Sequence, residues 1–419
     1  MQDADVIIVG AGLAGLACAN ALSRRGVSFL LIEASDETGG RLQTQDYQGF
    51  LLDRGFQVLS TAYPEVRQTL DSRRLGLRFF QPGAIIRTSG NFHHFVDPFR
   101  SPWYSFPSVT MSNLISPVGS VGDKLKIARE RFRWKNTDPE PALMQITTSE
   151  WLSQTFSDRV IKKFFRPFLS GVFLESELRT PAWMARFVLS MFARGYASLP
   201  SDGMQAVPRQ LTESLPEQRV MLSTKVVAVD AKSVTLEGGR KLPAKEVVLA
   251  TSSQATSSLI PEYTVRPTRG TDCFYFTTKT PPVTESLLVL NGTGTGPINT
   301  LCVPSIVQPT YSPADQHLIS VSTIESTEQD ADELLAAVRS QLVEWYGESA
   351  STWTFLKHIR IPDALPELSV STSLPDQPWT SLNGVSICGD QSTIGSIHHA
   401  LLSGRLLAEH LANSLAPTA

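Results

Sequence analysis

The chain lacks most of the features that mark large protein classes. Its four cysteines, Cys18, Cys273, Cys302 and Cys388, lie far apart and form no CxxC pair. This spacing argues against a disulfide scaffold and a zinc site, and it fits a reducing compartment. Charge is sparse and nearly balanced: 18% of the 419 residues are charged, and the net charge is −3. Nothing in that balance invites nucleic acid. No apolar run is long enough to span a membrane, and Asp3 and Asp5 stand where a signal peptide would carry basic residues. No repeat, HExxH motif, DxD cluster or Ser/His/Asp constellation is evident, so no metal ligand set is assigned. A cytoplasmic protein is expected, with peripheral membrane contact left open and the oligomeric state unassigned.

A chain this long exceeds one compact core, so two domains are expected. The informative stretch is "ADVIIVGAGLAGLACANALSRRGVSFLLIEASDETGGR" near the start. "DVIIVG" reads as a strand buried on both faces. "LAGLACANALSRRG" reads as a helix closed by Gly26, and "VSFLLIEA" as a second buried strand. This is the βαβ context that a Gly-rich motif requires. Within it, Gly10-Ala11-Gly12-Leu13-Ala14-Gly15 satisfies GxGxxG. Gly10 permits the turn, Gly12 lets the backbone approach a pyrophosphate, and Gly15 lets helix and strand pack closely. The helix N-terminus offers unpaired N–H groups to phosphate. Glu33, followed by Ala34, stands where a carboxylate binds ribose hydroxyls and disfavours a 2′-phosphate.

Two further segments distinguish FAD from NAD. Gly39-Gly40-Arg41-Leu42 adds a second glycine pair and a permanent cation, followed by "DRGFQVLS" with Gly55 and Phe56. Near the other end stands "GVSICGDQSTIGSIHHALLSGRLLAEHL". Together with the middle segment "SLPSDGMQAVPRQLTESLPEQRVMLSTKVVAVD" and "EVVLAT", these stretches resemble the flavin-dependent amine oxidase superfamily. That group includes monoamine and polyamine oxidases, protoporphyrinogen oxidase and carotenoid desaturases. The resemblance implies an α/β fold: a discontinuous Rossmann-type FAD domain (1–75, 205–265, 366–419) interleaved with an α+β substrate domain (76–204, 266–365). It implies non-covalent FAD, with Gly10, Gly12 and Gly15 at the pyrophosphate and Glu33 at the ribose. Arg41 would lie along the pyrophosphate or flavin edge, and Val226 would bind adenine through its backbone. Gly389 and Asp390 would serve the ribityl–phosphate side, and Gly395, Ser396 and Ile397 would bring N–H groups to the flavin. Two residues depart from the family pattern. Asp202 replaces a glycine in a turn, and His399 stands where a glycine is usual. His399, or its neighbour His398, is therefore the candidate for a group donating a proton or charge at the flavin.

The intervening segments are rich in aromatics and poor in polar catalytic groups, as suits an apolar small-molecule substrate when the cofactor carries the chemistry. A mixed sheet with helices on one side is expected there. No Trp or Tyr follows Asp390 to sandwich an amine, which leans towards desaturation of an isoprenoid-like substrate. Oxidation of an amine or porphyrinogen, flavin-assisted isomerisation and a non-enzymatic flavoprotein are the alternatives. His93-His94 reads as a surface pair, since adjacent strand residues face opposite ways. "DKLKIARERFRWK" at 123–135 reads either as a membrane-contact helix or as a solvated helix with one inner apolar stripe, and the latter is preferred.

Overall fold

The computed structural model describes residues 4–416 apart from 98–99, 101–115 and 326–327. Part of the aromatic stretch "FHHFVDPFRSPWYSF" lies outside the described residues.

The apolar run at the start forms strand Val6–Val9, buried at all four positions. Its alternate side chains serve two cores. Val6 and Ile8 pack with helix Leu13–Arg24, while Ile7 and Val9 pack on the other face. Parallel partners flank it, Phe29–Ile32 on one side and Glu246–Leu249 on the other. Val220–Met221, Val385–Cys388 and the antiparallel Trp379–Leu382 complete a six-stranded sheet. Gly26, at φ 70°, ends the first helix as expected. The long C-terminal helix Ile397–Leu415 lies directly on helix Leu13–Arg24. A Cβ on Gly404 would stand 1.9 Å from the Ala14 carbonyl oxygen, so only glycine allows the approach.

A separate seven-stranded sheet runs in the order Thr354–Pro366, Thr268–Thr278, His317–Ile324, Ile298–Cys302, Leu288–Asn291, Gly83–Thr88, Asn91–Val96. All its pairings are antiparallel except that between Leu288–Asn291 and Gly83–Thr88. The "NGTGTGPINT" stretch turns the chain between two of these strands. Helix Ala331–Tyr346 covers one face, packing Leu334, Val338 and Leu342 on Phe274, Phe276 and Val321. Helices are not confined to that side, contrary to the sequence expectation. Ile86 and Leu290 point the other way, into a block that includes helices Val121–Asn136, Arg166–Phe173 and Ala182–Arg194. Ile85 and Val289, their strand neighbours, face the first side. Strand residues apolar at successive positions need cover on both faces. His93 and His94 lie on edge strand Asn91–Val96, where His94 Nε2 is 2.9 Å from Glu285 Oε1.

Candidate functional site: the dinucleotide cradle and the ring wall beside it

The glycine turn is built as a ligand cradle. Gly10 has φ 101°, and a Cβ there would lie 2.8 Å from the Ala250 carbonyl oxygen. A Cβ on Gly15 would stand 1.9 Å from the Gly10 oxygen. A Cβ on Gly12, by contrast, would meet no atom within 4 Å. Thus Gly10 and Gly15 are fixed by the protein's own packing, while Gly12 leaves open space where a phosphate would come. Gly12 also N-caps helix Leu13–Arg24 without a side-chain cap, and no acid stands in the first turn. The first-turn N–H groups and the positive dipole end suit an anion.

Glu33 closes one side of this turn. Its Oε2 accepts the Ala11 N–H at 2.7 Å, and its Oε1 accepts the Ser35 N–H at 3.0 Å and the Ser35 hydroxyl at 2.6 Å. Each carboxylate oxygen retains acceptor capacity for a diol. The Thr224 N–H donates to the Glu33 carbonyl at 2.9 Å, which brings the start of strand Val226–Asp230 beside the acid. Gly39 donates its N–H to the Ala11 carbonyl, and Gly40 follows at φ 61° beside Gly12. Four predicted positions contribute differently. Leu13, Ala14 and Leu42 bury their side chains in the core and offer only backbone to a ligand, while Ala34 is exposed.

The early and late segments of the cradle meet through Arg41 and Asp390. The guanidinium Nη2 lies 2.5 Å from Asp390 Oδ2, and Nη1 donates to the Ala364 carbonyl at 3.1 Å. Strand Thr354–Pro366 passes both glycine turns nearby. Cβ atoms on Gly55 and Gly395 would meet Ile361 Cδ1 at 2.6 Å and Leu365 Cδ1 at 2.5 Å. Phe56 stands edge-on to Phe80. The Gly389 N–H donates to Ser403 Oγ at 2.8 Å. Asp202 sits exposed in its turn, 4.0 Å from Arg209.

Arg266, which no sequence motif singled out, holds the loop after Asp390. It donates to the carbonyls of Thr393 at 2.6 Å and Glu367 at 2.7 Å, with those of Asp390 and Gln391 at 3.4 Å. Its burial pulls the guanidinium pKa down, against the opposing pull of Asp390. A cation enclosed by carbonyl oxygens fixes a loop that carries no regular hydrogen-bond ladder.

Ser396 N-caps the C-terminal helix by accepting the His399 N–H at 3.1 Å, and its Oγ lies 2.7 Å from His399 Nδ1. Both histidines are buried. Burial and the neighbouring His398 push the His399 pKa down to about 3, and burial lowers that of His398. Both shifts favour the neutral imidazole over the charged one. The two rings belong to a wall of rings from distant segments. Tyr63 and Phe187 stack at 6.0 Å, Trp183 and Phe187 at 5.5 Å, and His398 lies 5.6 Å from Tyr63 at 21°. Arg405 sets this corner by a bidentate pair with buried Glu65, two residues after Tyr63.

Fold and cradle together define an α/β protein built to hold a dinucleotide. Residues 13–412 match the family of flavin containing amine oxidoreductases, and the chain belongs to that family. The four cysteines are all buried and free. Protoporphyrinogen oxidase 2 of Arabidopsis thaliana is 32% identical over 168 residues, 40% of this chain and 32% of that protein. Putrescine oxidase of Kocuria rosea is 24% identical over 240 residues, 53% of this chain and 48% of that protein. The chain thus matches less than half the length of either relative. An oxidoreductase of Methanosarcina mazei has the same fold, with a TM-score of 0.75 at 18% identity over 96% of this chain and 99% of that one. The superfamily expected from the motifs is therefore the right one. The narrower placement beside carotenoid desaturases is not singled out: the longer matches are to porphyrinogen and amine oxidases. Among the described residues, no group of three His, Cys, Asp or Glu could hold a metal, and no helix is long and apolar enough to cross a membrane.

Proposed function

We propose that this chain oxidises a carbon centre in an apolar, ring-bearing substrate of the porphyrinogen kind. The observation that carries this reading is the wall of Trp183, Phe187, Tyr63 and His398 beside the helix that starts at Ile397. The planes of Trp183 and Phe187 are 6° apart, those of Tyr63 and Phe187 7° apart, and His398 is tilted 20° from Phe187. Stacked rings attract a further ring system, and of these four only Tyr63 and Trp183 keep exposed area with which to meet one. The charged groups nearest to it, Glu65 and Arg405, are paired with each other and contribute no free charge. FAD, when bound, supplies the electron sink. The residues proposed to hold it are Gly10, Gly12, Gly15, Glu33, Arg41, the Val226 backbone, Asp390 and the N–H groups at 395–397. The chain's own part is to orient the substrate, exclude water and hold neutral side chains where its hydrogen leaves.

Amine oxidation is the second reading. The absence of Trp or Tyr after Asp390 argued against it, but Tyr63 and Trp183 bring such rings from elsewhere, and an amine can lie against their faces. Anaerobic mixing of the FAD-loaded protein with a porphyrinogen, with putrescine and with a monoamine separates the two. Bleaching of the oxidised flavin band by the porphyrinogen alone is expected. Bleaching by an amine alone supports the second reading, and bleaching by none of them overturns both.

A further inference from the structure

We infer that the outer face of helix Val121–Asn136 docks this protein on an anionic phospholipid surface. The inner face is the apolar stripe expected of a solvated helix, with Trp134 buried and Ile127 packed on the same core. The structure adds a second apolar stripe on the opposite side. Val121, Leu125 and Phe132 are 54%, 68% and 69% exposed. At about 100° of turn per residue, these three fall within about 40° of arc. On one flank of the ridge, at about 80–140°, stand Arg129, Arg133 and Lys126, and on the other, at about 300–320°, Lys124 and Lys135.

The helix's two carboxylates do not interrupt this face. Asp123 is buried, accepting from the Ser120 and Ser157 hydroxyls at 2.7 Å each. Glu130 is buried and accepts from Arg129 at 3.0 Å and Arg133 at 3.2 Å. The outward surface is therefore an apolar ridge between two rows of cations, without an exposed acid on the helix. A helix in water would place polar groups along that ridge. An interfacial helix places Leu and Phe among the acyl chains and lets Lys and Arg reach the headgroups. Cations on both flanks complement a plane of negative charge, and the apolar ridge between them complements the layer beneath it. An acidic protein would match the cations but leave the ridge without a counterpart. The helix also packs on helix Ala182–Arg194, which carries Trp183 and Phe187, so the docking face lies one helical layer from the ring wall. The inference stands independently of which substrate is oxidised.

Sedimentation of the FAD-loaded protein with vesicles tests it, since neither arm needs turnover. Equimolar phosphatidylcholine–phosphatidylglycerol vesicles are expected to bind the protein in a salt-sensitive manner, and pure phosphatidylcholine vesicles much less. Leu125→Ser with Phe132→Ser removes the ridge and should weaken binding by about tenfold or more. Lys126→Gln with Lys135→Gln removes headgroup contacts and should weaken it by about fivefold per cation. Unchanged flavin content and melting temperature in both variants show that the fold is intact. Failure of the parent protein to bind anionic vesicles overturns the inference and turns attention to an acidic protein partner. Equal binding by parent and ridge variant overturns it as well.

Discussion

Replacing His399 by Gln tests whether this ring carries charge in the working pH range. Its pKa falls from 6.5 to about 3 because the ring is desolvated and faces His398. Above pH 6.5 it is neutral in both folded and unfolded chains. Between 6.5 and about 3 the unfolded chain binds a proton that the folded one excludes. Stability from this site is therefore lost as pH falls through that window, at about 1.4 kcal/mol per pH unit and on the order of 5 kcal/mol in all. Asp53 acts in the opposite sense. Its carboxyl is buried, and burial raises its pKa from 3.8 to about 6 although Thr44, Met204 and Tyr311 all donate to it. The folded state keeps that proton longer, so stability falls as pH rises from 3.8 to about 6, by about 3 kcal/mol. The two slopes nearly cancel between about pH 4 and 6. In His399→Gln only the Asp53 slope remains, and the variant should gain on the parent as pH falls, by about 1.4 kcal/mol per unit. Urea unfolding followed by circular dichroism, at fixed excess FAD, reads the difference directly. A difference that stays constant from about pH 4 to about pH 7 would refute the argument. It would also restore His399 as a group able to carry charge near neutrality.

Arg266→Ala removes its two closest donations, to the Thr393 carbonyl in the loop after Asp390 and to the Glu367 carbonyl, at about 1.5–3 kcal/mol each, so a loss of roughly 3–6 kcal/mol is expected. Over 419 residues this corresponds to about 3–7 °C in melting temperature, accompanied by reduced flavin content, and Arg266→Lys should fall between. A variant with parental melting and flavin content would show that the loop holds itself. Glu33→Arg loses the acceptor for Ala11 and Ser35 and places a second cation in the cradle with Arg41. Purified protein without its yellow flavin is the expected result, and undiminished FAD would remove Glu33 from the ribose role.

The sequence alone determined what depends on short-range geometry. The βαβ unit, its three glycines and Glu33 lie within about thirty residues, and each glycine answers a local demand of turn, approach or packing. The helix end at Gly26 was legible for the same reason: backbone conformation there is set by neighbours in the chain. Tertiary structure decided what depends on partners far along the chain. Arg266 reaches carbonyls more than 100 residues away, and no local pattern marks such a residue. The ring wall gathers Tyr63, Trp183, Phe187 and His398 from three segments, so a search for aromatics after Asp390 alone could not find it. The neutrality of His399 follows from its enclosure, since a ring's pKa is a property of its surroundings. The helix at 121–136 shows the same division. Its pattern announced a helix with cations, but packing of Trp134 and Ile127 against the core fixed its rotation. That rotation alone turned Leu125 and Phe132 outward, because which stripe of a helix faces solvent is settled by what the other stripe packs against.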